Sequence, residues 1–264
     1  MGENVLARIG GFLVERVRSV AHLGGMVSAV LWLAVQPRRW PHTVRDVLAR
    51  QVLFTGVEAV RFMVLIALLV GVSIVVQVQL LLSRVGQSEL LGPILVAVVI
   101  RELGPLLTNF VVIGRSGAAI TTELGNMKVN GEIRLLDAQG LDPFTYLVLP
   151  RVTGMMISVF SLTVVFVVVA FVSGYVSGVL MGANTGTPGL FALSVMGAVT
   201  PADVFSLLAK TLIPGLLTGA ICCSEGLGVG AAVTEVPQAT TRGLVRSVGA
   251  LFLVSALISL LFYL

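Results

Sequence analysis

The chain has 264 residues, of which 56% are hydrophobic and only 11% charged, with a net charge of +4. Soluble domains are about 25% charged, so this chain cannot clothe a water-facing surface and a bilayer must be its solvent. The basic excess reads as loops meeting anionic headgroups rather than as a nucleic-acid-binding face. The length leaves no room for a soluble catalytic domain beside the spans.

Residues 3–22 set Val5, Leu6, Ile9, Phe12, Leu13, Val17 and Val20 at helical spacing, with Arg8, Glu15, Arg16 and Arg18 between them. This predicts a basic amphipathic helix lying in the membrane interface. It lacks the short apolar core and small-residue cleavage site of a signal peptide, so none is expected. Residues 23–36 are apolar but too short to cross. Pro37 ends them, and Arg38, Arg39, Arg45 and Arg50 form a basic loop with Trp40 as an interface anchor.

The first span is expected over about 54–82, with Glu58 and Arg61 spaced to pair at its start. The second runs over about 90–114 and is interrupted by Arg101, Glu102, Gly104 and Pro105. Residues 115–151 are polar, with helical spacing and no loop signature before Gly140-Leu-Asp-Pro143. The third span covers about 152–182, and Asn184-Thr-Gly-Thr-Pro-Gly189 marks a turn. Residues 190–200 are too short to cross. The fourth span, about 204–224, carries Lys210 and Pro214. A charged loop over 225–242 leads to the fifth span, 243–264. The fold class is therefore all-α integral membrane: an interfacial helix plus five spans, one domain over 1–264, with residues 1–50 as an elbow and 51–264 as the core.

Segments 38–50, 115–151 and 242–246 hold ten of the seventeen Lys and Arg residues, while 83–89 and 183–203 hold only Arg84. The positive-inside rule then puts the N-terminus and 115–151 in the cytoplasm and the C-terminus outside.

Several features bear on chemistry. Gly174, Gly178 and Gly182, and again Gly215 and Gly219, are spaced for close helix packing. Arg101, Glu102 and Lys210 lie inside apolar spans, where charges are costly and are either paired or functional. Cys222 and Cys223 are adjacent and read as small apolar residues, with no metal site implied. Gly114-Arg-Ser-Gly117 has the outline of a serine nucleophile, but the histidines, His22 and His42, lie far away in the N-terminal region, so no base serves Ser116. The sequence contains no Gly-x-x-x-x-Gly-Lys-Ser/Thr, so any ATP must be bound by another subunit. Within 115–151, Ile133 and Leu136 share a face with Glu132, Arg134 and Asp137 around them, the pattern of a short helix that docks in a groove of a soluble partner.

The order Arg101-Glu-Leu-Gly-Pro-Leu-Leu-Thr108, Gly114-Arg-Ser-Gly-Ala, Glu123-Leu-Gly-Asn-Met-Lys-Val129, Gly140-Leu-Asp-Pro143, Pro150-Arg151, Gly226-Leu-Gly-Val-Gly230 and Ala239-Thr-Thr-Arg242 resembles the MlaE/YrbE permease family. That family is the membrane subunit of the maintenance-of-lipid-asymmetry ABC transporter. The resemblance runs from about residue 10 to the end. It implies a permease in the bacterial inner membrane, without catalytic residues or a cofactor of its own. Its ATP and Mg would be held by a cytoplasmic ABC ATPase, docked through a coupling helix at about 127–139. The coupling residues implied are Lys128, Glu132, Ile133, Arg134, Leu136 and Asp137.

Further partners implied are a periplasmic MCE-domain protein, a second permease copy and a phospholipid in a cavity between copies. An apolar cavity lined by spans one and five would suit the lipid tails, with Arg101, Glu102 and Lys210 as intramembrane polar residues near the headgroup. The family's usual Thr-Glu-Gln-Ile-Asp-Ala-Leu is Asn130-Gly-Glu-Ile-Arg-Leu-Leu136 here, and Ser255 stands where an Asp is common. From the residues alone, an ion-coupled transporter using Glu102 and a non-transporting membrane scaffold are the alternatives.

Overall fold

The computed structural model describes residues 21–35, 40, 42–85, 90–180 and 188–263. Among them the chain is helical throughout, without strands. The expected interfacial helix over 3–22 lies almost wholly outside the described residues. Eight helices follow: α1 (Ala21–Ala34), α2 (His42–Leu82), α3 (Leu91–Val129), α4 (Glu132–Ala138), α5 (Phe144–Leu180), α6 (Pro188–Ala198), α7 (Pro201–Leu227) and α8 (Glu235–Phe262). Five of them, α2, α3, α5, α7 and α8, are long and apolar enough to cross a membrane.

These five helices coincide with the five expected spans and extend past them toward the basic end. At 1.5 Å per residue α3 is about 58 Å long, nearly twice the hydrocarbon thickness of about 30 Å. Polarity after residue 114 ends the hydropathy signal. It does not end the helix, because the backbone still satisfies its own hydrogen bonds. The part of 115–151 up to Val129 is therefore a continuation of α3. The two ends of the bundle are named by their charge: the basic end, where α3 meets α4, and the opposite end, where α6 sits.

Packing runs in the order α2, α5, α7, α8, with α3 set against α5, α7 and α8. The main core gathers Met63 of α2, Ile120 and Leu124 of α3, Met155, Leu162 and Phe166 of α5, and Ala220, Cys222 and Cys223 of α7. Glycine lets the backbones touch. Gly71 of α2 lies against Ala170 of α5, and Gly174 and Gly178 lie against Val75 and Gln79. A Cβ at Gly219 would stand 2.9 Å from the Cα of Val152. The glycine repeats thus pack α5 on α2 and α7 on α5, within one chain. Gly182 lies outside the described residues.

Trp40 donates from its indole N–H to the carbonyl of Leu33 at 2.9 Å, closing the corner between α1 and α2. At the opposite end α6 caps α3: Phe191 and Val195 bury with Leu95 and Val96, and the ring of Tyr175 of α5 packs tilted against Phe191, centroids 5.1 Å apart.

Candidate functional site

The three charges that stand inside apolar spans converge. Arg101 and Glu102 lie where α3 widens into π-type turns, Val96–Leu103. Pro105 follows and cannot donate a backbone hydrogen bond to the carbonyl of Arg101, four residues back. Lys210 of α7 fills that gap, giving Nζ to Arg101 O at 2.7 Å and to Glu102 Oε1 at 2.6 Å. The reciprocal gap exists on α7. Pro214 cannot donate to the carbonyl of Lys210, and the side-chain amide of Asn109 on α3 donates to it at 3.1 Å and to Pro105 O at 2.8 Å. Each helix supplies the donor that the other's proline removed.

Two further residues complete this brace. Arg101 pairs with Asp203 through Nε at 2.7 Å and Nη2 at 3.4 Å. Asp203 is buried in the first turn of α7, and its carboxylate also accepts from Thr200 N and Oγ1, both at 2.8 Å. The backbone N–H of Asp203 donates in return to Thr200 Oγ1, a reciprocal cap that suits an anion at a helix N-terminus. Ser259 of α8 donates to Glu102 Oε1 at 2.8 Å. The cluster holds two cations and two anions, so its net charge is zero. Lys210 is 1% exposed and Glu102 44%. The cluster locks α3, α7 and α8 together and borders an open surface at the glutamate.

The sequence marked Arg101, Glu102 and Lys210, and the structure brings all three into contact. Asp203, Asn109 and Ser259 were missed. Thr200-x-x-Asp203 is a capping-box signature that could have revealed the first. The other two carry no sequence signal.

A second set of ion pairs ties the helices near the basic end. Arg115 of α3 reaches Glu58 of α2 at 2.9 Å and Phe54 O at 2.7 Å, with its guanidinium 4.8 Å over the Phe54 ring. Glu58, expected beside Arg61, is thus held by a residue of another span. Arg151 of α5 pairs with Glu123 of α3 at 2.7 Å. Glu225 of α7 takes both Arg242, at 3.2 Å, and Arg246 of α8. Thr122 of α3 meets Thr240 of α8 at 3.0 Å. Arg115, Glu123, Arg151 and Arg242 all fall in the motif blocks, so those motifs are largely interhelical fasteners.

The segment 127–139 is not one helix. Lys128, in the last turn of α3, donates to Leu227 O at 2.7 Å. Gly131 then takes φ +78°, where side chains are strained, and turns the chain into α4. Gly140, at φ +76°, ends α4 with the paired bonds Leu141 N to Leu136 O and Gly140 N to Asp137 O. Ile133 and Leu136 do share a face, but it packs inward, half-buried against the chain's own core. The outward side carries Glu132, Arg134, Asp137 and Leu135, and Leu135 is 60% exposed.

A cavity of about 1220 Å³ is an apolar groove between α1, α7 and α8. It is not lined by α2, the first span. Leu23, Gly24 and Val27 form one wall, Leu217, Ala220 and Ile221 the floor, and α8 from Gln238 to Val254 the other wall, with Arg242 and Arg246 near the basic end.

A bundle of five helices long and apolar enough to cross a membrane, cross-tied by buried ion pairs, is the architecture of a multi-pass membrane protein. The chain matches the family described as Permease MlaE over residues 48–261 and belongs to that family. It is 27% identical over 259 residues to a probable ABC transporter permease protein of Rickettsia prowazekii, covering 98% of this chain and 99% of that one. It is 32% identical over 216 residues to a probable ABC transporter permease protein of Synechocystis sp., covering 81% and 80%. It is also 29% identical over 251 residues to the protein TRIGALACTOSYLDIACYLGLYCEROL 1, chloroplastic, of Arabidopsis thaliana, covering 95% and 69%.

Proposed function

We propose that this chain is the membrane subunit of an ATP-driven transporter that moves phospholipid. In this reading the basic end faces the cytoplasm of a bacterium and the membrane is its inner one. A separate ABC ATPase binds ATP and Mg and contacts α4. An MCE-domain protein receives or delivers lipid at the opposite end, and a second copy of the chain completes the assembly. The names of the relatives support the ABC assignment. The Arabidopsis relative's name is that of a glycerolipid, which favours a lipid cargo.

The observation that carries the proposal is the continuity of α3. One unbroken helix joins α4, where a motor would push, to the Arg101–Asp203 and Glu102–Lys210 brace that binds α3 to α7 and α8. A displacement at α4 passes through the turn at Gly131 and then along α3 to that brace. ATP can shift the equilibrium only if it favours one arrangement of the helices over the other, and the brace is where two arrangements would differ. Arg101 and Lys210 are held by carboxylates of their own chain, so we assign them to bracing, with Glu102 facing the open surface.

The test is to purify the intact complex, identify its subunits, and reconstitute it in proteoliposomes containing a labelled phospholipid. Lipid transfer that requires ATP and a co-purifying ATPase is the expected result. Transfer at full rate with no ATPase present would overturn the proposal.

A further inference from the structure

We infer that the groove between α1, α7 and α8 holds one anionic phospholipid from the leaflet at the basic end, with its phosphate on Arg242 and Arg246. This site rests on the lipid-permease reading above and gives it a specific lipid and place.

Charge points to the ligand. Arg242 spends its Nε and Arg246 its Nη1 on the one buried carboxylate of Glu225. Two cations against one anion leave a charge of +1 at the mouth of the groove. Each guanidinium has five N–H donors in a fork that suits a phosphate, and Glu225 uses few of them. Both arginines are about half-exposed, so an anion reaches them without displacing Glu225.

The dimensions agree. No charged residue follows Arg246 in the chain, so Arg246 marks where α8 enters hydrocarbon. From Arg246 to Val254, the far end of the groove, α8 rises about 12 Å. Half of a hydrocarbon core of about 30 Å is about 15 Å. The apolar part of the groove therefore spans one leaflet, the depth an acyl chain occupies when its phosphate sits among headgroups. Gly249 and Ala250 keep the wall low along that path, and a Cβ at Gly249 would meet open space. A second copy of the chain could cover the same apolar wall, but it would leave the +1 charge uncompensated. A phospholipid with one negative charge satisfies both the wall and the charge.

The experiment uses the intact complex, stripped of lipid in detergent and exposed without nucleotide to vesicles of phosphatidylcholine doped with phosphatidylglycerol. Native mass spectrometry then counts retained lipid. The wild type is expected to keep phosphatidylglycerol over phosphatidylcholine. The double variant Arg242→Gln, Arg246→Gln should lose about tenfold of that retention, and Arg242→Lys, Arg246→Lys should keep most of it. Removing both arginines strands Glu225, so Gly249→Leu serves as the second variant. It fills open space, leaves the ion pairs intact, and should lower retention of both lipids. Retention at the wild-type level in both the Gln and the Leu variants would overturn the site. So would complete cross-linking of Leu253→Cys between copies with an unchanged lipid count. Because the assay contains no nucleotide, its failure would leave ATP-driven transfer untouched, and loss of ATP-driven transfer would not alter this result.

Discussion

Lys210 donates to the carbonyl of Arg101 at 2.7 Å, and that carbonyl lacks a helical partner because Pro105 stands four residues later. The relation is mirrored: Pro214 strands the carbonyl of Lys210, and Asn109 answers it from α3 at 3.1 Å. Two prolines that would each weaken an isolated helix become the reason two helices bind each other. In a bilayer no water can take the place of these donors, which gives the arrangement its weight.

The first prediction tests this. Lys210→Met keeps the bulk of the side chain but leaves the Arg101 carbonyl without its donor and Glu102 with Ser259 alone. The cost of an unpaired buried acceptor is about 1–3 kcal/mol. Asn109→Leu should cost a similar amount by stranding the Lys210 carbonyl. Because the two sites share one brace, the double variant should cost measurably less or more than the sum. Unfolding of the purified protein in detergent, followed by circular dichroism, reads all three. Strict additivity would show that the two bridges act independently.

The second prediction concerns backbone contact. Gly71→Ala places a methyl group against the carbonyl and Cα of Ala170, which are backbone and cannot move aside. Gly178→Ala meets the end of the Gln79 side chain, which can swing away. Gly197→Ala meets nothing. The expected order of destabilisation is Gly71, then Gly178, then Gly197, with the first at about 1–3 kcal/mol as for overpacking and the last near zero. Thermal midpoints of the three variants check the order.

A third prediction follows from the cap that starts α5. Asp142 accepts from the backbone N–H of Phe144 and of Thr145, each at 3.1 Å, and from the Thr145 hydroxyl. Partial burial pushes its pKa up, but the Thr145 hydroxyl and the two backbone donors together outweigh it and hold the carboxyl below its ordinary 3.8. A lowered folded pKa means that the ionised cap stabilises the fold above the unfolded value and loses that stabilisation as pH falls through the folded one. Asp142→Ala should cost about 1 kcal/mol at neutral pH. The difference from wild type should shrink only below about pH 4. Chemical denaturation across pH 3 to 7 measures it, and a gap that closed near pH 6 would contradict the assignment.

How far the residues alone disclosed this molecule depends on which physical signal each part emits. A charge in hydrocarbon is loud, so Arg101, Glu102 and Lys210 stood out, although nothing in their spacing shows that they meet each other. Their partner Asp203 sits at a helix start, where an acid is unremarkable. The glycine repeats announced close packing but not the neighbour, and the partner helices turned out to lie in the same chain. Helix ends were not legible, because hydropathy falls after residue 114 whereas the helix continues to Val129. The pattern over 132–137 showed that Ile133 and Leu136 share a face. Periodicity carries no information on whether that face turns to the chain itself or to a partner.

That last difference gives the fourth prediction. Leu135, 60% exposed on α4, is the apolar residue presented outward, while Ile133 and Leu136 pack against the core. If α4 meets the ATPase, Leu135→Asp should leave the permease folded and abolish most of the lipid-stimulated ATP hydrolysis of the complex. Ile133→Asp should instead lower the thermal midpoint, since it buries a charge against the bundle, and any loss of activity should follow from that. Gly131 provides a control between the two. At φ +78° with open space around it, Gly131→Ala has room for its methyl but not the backbone preference, and should cost about 1 kcal/mol. Its effect on coupling would come through the angle of α4 and not through a lost contact. The three variants thus separate a surface that touches the motor, a face that holds the fold, and a hinge that aims one from the other. Activity measured beside the thermal midpoint for each decides the matter: an active, stable Leu135→Asp complex would remove α4 from the power stroke.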